Sequence, residues 1–289
     1  DKIRESLPEL FDAKVKRYVE DLKIKQNDAE EISRKMEIAE YFATMDVMSG
    51  GKVVFGAALG YRNVEYKAFN IQKGTGVVRF EQNLEAIKRL WTEDKVSMKG
   101  EYFELDGASV SMPCVQEPHP PIWIGANADV AVDRAARLGD TWYISAHHRK
   151  DTLVRQVEFY KRCLDKYKKP FPAEWPLRRE VFVAESREKA IELVRPYLGL
   201  KYSTYHAWGQ SEPMPEGDTL GLEFDDLLEN RFIFGTADEV AAEIVDYCDV
   251  LGTNHFITSC QWPGMPHSLV MEGIHRFAED VMPRVRQGL

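Results

Sequence analysis

Five short runs of β-branched and aromatic residues, each leading into an amphipathic helical stretch, constrain this chain more than any other feature. The runs are Val53 to Leu59, Pro121 to Gly125, Thr141 to Ser145, Arg179 to Ala184 and His255 to Ser259. The helical stretches after them cover Arg79 to Glu93, a segment ending at Leu138, Thr152 to Tyr167, Arg187 to Tyr197 and His267 to Met282. Strand followed by helix, repeated, predicts right-handed crossovers and a parallel sheet. The end-to-end regularity suits a barrel better than a two-half dinucleotide fold. No Gly-x-Gly-x-x-Gly follows a strand, and the chain has no Walker-type loop, zinc motif or serine nucleophile elbow.

The first run carries the strongest local signal. Met48-Ser-Gly-Gly-Lys-Val-Val-Phe-Gly-Ala-Ala-Leu-Gly60 reads as a turn at Gly50 and Gly51, then a strand buried on both faces through Val53, Val54 and Phe55. Gly56 and Gly60 leave backbone without side chains, for core packing or for the close approach of a ligand. In parallel α/β folds the carboxyl ends of the strands are where ligands sit.

Composition narrows the partners. Lys and Arg number 38 against 47 Asp and Glu, a net charge of −9, which argues against a nucleic-acid surface or an anionic membrane. No apolar run approaches the length of a membrane span. Cys114, Cys163, Cys248 and Cys260 have no metal-type spacing, so a metal site is not expected, and free thiols imply a reducing cytoplasm. The amino-terminal stretch 1–45 reads as helical, over Leu7 to Leu22 and Ala29 to Met45, with a break at Asn27-Asp28. Lys99 to Leu105 reads as a turn and short strand. Gly139 ends one helix, and Gly235-Thr236-Ala237-Asp238-Glu239 caps another. The segment 198–231, rich in Tyr, Trp, Pro and Gly, reads as a lid-like insertion. The whole chain, 1–289, reads as a single domain.

Met48-Ser-Gly-Gly-Lys with Phe55-Gly-Ala-Ala-Leu-Gly-Tyr61 and Glu65-Tyr66 resembles the central motif of the bacterial luciferase-like flavin-dependent monooxygenases. Leu90-Trp-Thr-Glu93, Gly100-Glu-Tyr-Phe103, Pro120-Pro-Ile-Trp-Ile-Gly125, Arg134 to Trp142, Phe234-Gly-Thr236 and Gln261 to Pro266 continue the resemblance. It runs from about residue 38 to the carboxyl terminus, and the order and spacing of the matches carry it. The family implies a (β/α)8 TIM barrel and a reduced flavin, FMN or, in one branch, a deazaflavin. It also implies reaction with oxygen or hydride transfer.

By that resemblance, Ala57, Ala58, Leu59 and Gly60 lie beside the flavin ring. Arg79, at the opening of its helix, reaches the flavin phosphate, a role its guanidinium fork suits; an exposed arginine at a helix start is the other reading. Gly125, Ala126, Asn127 and Ala128 sit where a strand end meets a helix, an anion site made of backbone N–H groups, with Asn127 also a candidate N-cap. Ser145 ends the next strand in the same layer. His147, His148 and His206 are the candidate acid–base groups, with solvated loop histidines as the alternative. Tyr202, Tyr205 and Trp208, with Trp262 and Met265 after the last strand, line an apolar substrate pocket or pack the insertion onto the barrel.

The resemblance departs at the amino terminus. The family places three βα units before the Met-Ser-Gly-Gly motif, and the residues before Met48 read as two helices. Either a segment is missing between about Lys23 and Asp28, or the barrel is cut down and incomplete there. The expected activity is oxidation of a small, largely apolar organic substrate by O2 and reduced FMN. The FMN is supplied by a separate flavin reductase, and the protein is a homodimer or heterodimer. A deazaflavin-dependent oxidoreductase and a non-catalytic flavin-binding subunit are the alternatives.

Overall fold

The computed structural model describes residues 26–288 together with Lys16 and Glu20. Apart from those two residues, the helix expected over Leu7 to Leu22 lies outside the described chain. By their contacts the residues gather into two compact units, Asp1–Phe55 with Tyr66–Ile122, and Gly56–Glu65 with Trp123–Leu289.

The first unit is built on α1 (Gln26–Ser49), which runs through the break expected at Asn27-Asp28. Ala39, Ala43 and Asp46, three to four residues apart, form its buried face. Strand β1 (Phe55–Ala58) follows, then α2 (Asn63–Ala68), with Gly56–Glu65 counted in the second unit, and the first unit resumes with a 3-10 turn (Lys73–Thr75) and α3 (Gly76–Thr92). Leu84, Ile87, Leu90 and Trp91 are buried along α3, the stripe its spacing predicts. The Trp91 indole N–H donates to the Ala39 carbonyl at 2.9 Å. The Phe55 ring stands edge-on to Phe42 and to Trp91, at 4.7 and 5.4 Å. The single strand expected near Lys99 is an antiparallel hairpin, β2 (Val96–Lys99) with β3 (Glu104–Ala108). A Cβ on Gly100 would fall 2.6 Å from the Phe103 ring, so only glycine fits this turn.

The second unit holds the parallel strands. β4 (Ile122–Gly125) pairs with β5 (Thr141–Tyr143), Trp123 opposite Thr141 and Gly125 opposite Tyr143. β1 lies on the far side of β4, giving the order β1-β4-β5. A second parallel sheet has the order β7-β6-β8, with β6 (Pro176–Val183) between β7 (Ile233–Gly235) and β8 (His255–Ser259). A parallel bridge between Ile144 and Leu177 links β5 to β6. The connections are α4 (Asp129–Leu138), α5 (Lys150–Tyr167), α6 (Arg187–Ala207), the turn α7 (Phe224–Leu227) and α8 (Ala237–Leu251). The chain closes with α9 (His267–Arg276), a π-turn (Phe277–Val281) and α10 (Met282–Gly288).

Three expectations need correction. β1 is not buried on both faces. Val53 and Val54 precede it, and among its residues only Phe55 is buried, because it sits at the edge of its sheet. β7 is a sixth parallel strand, too short at three residues to show a period of two. The insertion 198–231 is helical at its start: α6 continues through Pro196 and Gly199 to Ala207, although both residues disfavour a helix interior.

Candidate active site

The carboxyl ends of the parallel strands meet within the second unit. β1 ends in Ala57 and Ala58, with Leu59 and Gly60 beyond it, and Gly60 takes φ +79°, a left-handed conformation that favours glycine. A Cβ built on Gly56 or Gly60 meets nothing within 4 Å, and one on Gly125 would rest 3.6 Å from the Ala58 methyl. This mouth is a floor of small residues and bare backbone, as a planar ring lying on main chain would require. Gly60 leads into Tyr61 and Arg62. The Arg62 guanidinium lies 3.9 Å over the exposed Trp208 ring, and Tyr205 stacks on Trp208 at 5.8 Å.

Beside the floor, β4 delivers Asn127. Asn127 is not the N-cap of α4. That position is Ala128, which offers no side-chain acceptor, so no side chain caps the start of α4, and the Ala131 N–H bonds the Ala128 carbonyl at 2.8 Å. The Asn127 side chain instead takes the Ser145 hydroxyl on Oδ1 at 3.0 Å and faces His148 Nε2 at 3.3 Å. Gln156 Nε2 holds the Asn127 carbonyl at 2.7 Å.

The three candidate histidines part company. His148 is wholly buried and fixed by the Asp218 carboxylate, Nδ1 to Oδ2 at 2.8 Å. Burial lowers its pKa, and Asp218 only partly opposes that. His147 is half-buried, its ring edge-on to Tyr202 and Tyr205 at 6.1 and 5.6 Å, with the Gln210 amide at 3.5 Å. Burial, then the positive charges of its neighbours, holds its pKa well below the usual value, so its imidazole is neutral at pH 7. His206 is exposed; its Nδ1 pairs with the Ser211 hydroxyl at 2.9 Å, and its ring lies where a Cβ on Gly221 would fall.

Among the candidate substrate residues, Tyr202 is wholly buried, with its hydroxyl donating to the Ala146 carbonyl at 3.2 Å. Trp262 and Met265 are buried in the same apolar cluster as Tyr202, with Phe182, Phe232 and Phe234. Tyr205 and Trp208 are more open. Arg79, in the first unit, stands in the first turn of α3 rather than at its opening; its Nε donates to Thr75 Oγ1 at 3.1 Å and its guanidinium covers the Tyr102 ring at 3.7 Å.

Sequence reasoning missed the charged residues inside the unit. Glu180 is wholly buried on β6 and accepts from Lys201 Nζ at 2.5 Å and from the Trp262 indole at 2.7 Å. Arg178, two residues earlier, donates to the Ser259 hydroxyl at 3.0 Å. The signal was present in Arg178-Arg179-Glu180, three charges within an otherwise apolar strand. Asp218, Arg231 and Gln210 lie in the insertion without any motif to mark them. Among the described residues no cluster of His, Cys, Asp or Glu could hold a metal ion.

Parallel strands alternating with helices, with small residues at one strand mouth, define a barrel-type α/β protein. The chain belongs to the luciferase-like monooxygenase family, whose sequence profile matches residues 34–254. Its relatives differ in chemistry. An F420-dependent glucose-6-phosphate dehydrogenase from Amycolatopsis mediterranei is 27% identical over 259 residues, 86% of this chain and 74% of that protein. An FMNH2-dependent dimethylsulfone monooxygenase from Pseudomonas putida is 27% identical over 123 residues, 42% of this chain and 34% of its own. Among solved structures, the monooxygenase RslO1 from Streptomyces bottropensis superimposes with a TM-score of 0.70 at 22% identity, over 86% of this chain and 74% of that one. That likeness places the fold in the TIM-barrel type of the family.

Proposed function

We propose that this enzyme is a flavin-dependent monooxygenase that uses reduced FMN and O2 to oxidise a small, largely apolar organic substrate. The observation that carries the reading is the floor formed by Ala57, Ala58 and Gly60 with Gly125, where backbone is open to a flat ring. Leu59, Ala126 and Ala128 extend it, and the uncapped start of α4 suits an anionic or carbonyl oxygen. Arg79 is our candidate for the flavin phosphate.

Reduced FMN, when bound, supplies the two electrons with which dioxygen is activated, one oxygen atom passing to the substrate and the other leaving as water. The residues of this chain hold the ring, exclude water and place polar groups. His147, neutral and packed between tyrosines, offers an imidazole that accepts or donates a hydrogen bond without bringing a charge into the pocket. Tyr205 and Trp208 face the substrate, and the residues after α6 serve as its lid. The similarity to a flavin-dependent trigonelline monooxygenase that is itself an oxygenase component favours reduced FMN supplied by a separate flavin reductase. Four free cysteines suit a reducing cytoplasm, and no described helix is long and apolar enough to cross a membrane. We also assign the exposed apolar face of α1 to pairing with a second copy of the chain.

Titration with reduced FMN without oxygen, followed by admission of air and measurement of oxygen uptake, tests the reading. Ala58→Trp fills the floor and is expected to raise the FMN dissociation constant at least tenfold while leaving the circular dichroism unchanged. Undiminished FMN binding by that variant would remove the strand mouth as the ring site. The similarity to an F420-dependent dehydrogenase over 86% of the chain favours a second reading, hydride transfer with a deazaflavin. Tight binding of F420 without FMN binding, and no oxygen uptake, would decide for it.

A further inference from the structure

We propose that Asp218 and Arg231 are positioning residues that act through His148 on the Asn127 carboxamide, so that the insertion after α6 sets which polar atom Asn127 presents at the strand mouth.

The connection is continuous and buried. Asp218 Oδ1 accepts from Arg231 Nη2 at 3.1 Å and from the Arg149 backbone N–H at 3.0 Å, and Oδ2 meets His148 Nδ1 at 2.8 Å. Asp218 and His148 are fully buried and Arg231 is nearly so. His148 Nε2 and Ser145 Oγ both face Asn127 Oδ1, at 3.3 and 3.0 Å, the amide orientation that suits a donating Nε2–H; an accepting Nε2 needs the carboxamide turned over. The carboxylate therefore ties the insertion to a strand-end residue through one imidazole.

The protons decide what this tie does. Asp218 is ionised, because the bonds from His148 and Arg149 and the charge of Arg231 outweigh its burial and keep its pKa below the usual value. A carboxylate only accepts, so His148 carries a proton on Nδ1. In the neutral ring Nε2 is then an acceptor and calls for the Asn127 NH2 group. In the protonated ring Nε2–H donates and calls for Oδ1. The Ser145 hydroxyl can donate or accept and satisfies either orientation. The carboxamide atom turned away from His148 is the one a ligand meets: oxygen when the ring is neutral, NH2 when it is charged. The groups around His148 are Asp218 and Asp129, which favour the charged ring, and Arg179, Arg231 and His147, which oppose it together with burial.

The consequence for ligand binding rests on the flavin reading; the proton arrangement does not. Two-bond 1H–15N correlation spectra of 15N-histidine protein, with His148 assigned by His148→Gln, are expected to show the Nδ1–H tautomer at pH 7. The Asn127 side-chain NH2 resonances should move with the titration of His148. An Nε2–H tautomer in the wild-type protein, or Asn127 resonances indifferent to that titration, would overturn the proposal whatever the binding measurements give. In the second arm, Asp218→Asn is expected to weaken FMN binding at least threefold, and Asn127→Ala/Asp218→Asn to bind no more weakly than Asn127→Ala alone. Additive losses would overturn the coupling. Failure of every form to bind FMN would count against the flavin reading, and the spectra would still decide on the proton arrangement.

Discussion

At the scale of single residues, the second unit concentrates its risk in buried charge. Glu180 and Lys201 are almost completely withdrawn from water, and the carboxylate also receives the Trp262 indole N–H. Burial lowers the Lys201 pKa, and the attraction of Glu180 opposes that shift. Such a pair adds little net stability when intact, since desolvation offsets attraction, but removing one member strands the other. Glu180→Gln is therefore expected to destabilise the fold by about 3–5 kcal/mol in urea unfolding. Replacing both members, Glu180→Met with Lys201→Met, should recover most of that loss. A double variant as unstable as the single one would show that the Trp262 contact, and not the stranded lysine, sets the cost.

At the scale of elements, Asp46 shows how one helix end organises a long connection. Its carboxylate accepts from the Val115 and Gln116 backbone N–H groups at 2.8 and 2.9 Å and from Gln116 Nε2 at 2.7 Å. Burial would raise its pKa, but these donors outweigh burial and hold it below the ordinary carboxyl value of 3.8. A depressed folded-state pKa means stability that is present above 3.8 and lost as pH falls through the folded value. The wild-type protein should thus lose stability below about pH 4. Asp46→Asn should be less stable at pH 7 by about 1–3 kcal/mol, because it offers N–H where N–H groups point, and the difference should shrink in acid. Thermal melts at pH 7 and pH 3 check both signs. Asp46 carried no motif, and this is typical of what the sequence concealed. Legible beforehand were elements with a period or a cap: the α3 stripe, the β8 strand, and Thr236 with Glu239, whose reciprocal capping box is formed. Hidden were β7, whose pairing with β6 and not its own pattern makes it a strand, and the second half of α6. Also hidden was the His148–Asp218 contact, which joins residues 70 positions apart. Long-range polar pairs leave no local periodicity, so the small-residue floor could be read in advance and the network beside it could not.

At the scale of the whole molecule, α1 presents an apolar face that nothing among the described residues covers. Ile38, Tyr41, Met45 and Met48 are exposed at 42, 60, 37 and 77%, and their spacing of three and four places them on one side of the helix. The opposite side, Ala39, Ala43 and Asp46, is buried, so the helix is seated by one face and leaves a second apolar stripe toward solvent. Scattered single apolar residues are ordinary on a protein surface, but a contiguous stripe marks an interaction site. A two-fold pairing of such stripes is self-complementary, each copy offering the same residues. The expected species is a dimer of twice the 33.2 kDa chain mass, stable at micromolar concentration in sedimentation equilibrium. Tyr41→Glu with Met48→Glu puts like charges against each other across the two-fold whichever of the two residues meet, and should yield monomer with unchanged helix content. A wild-type protein that sediments as a monomer at 50 to about 100 micromolar, well above the dissociation constants of stable dimers, would show that the stripe serves another partner. A variant that remains dimeric would place the interface elsewhere on the chain.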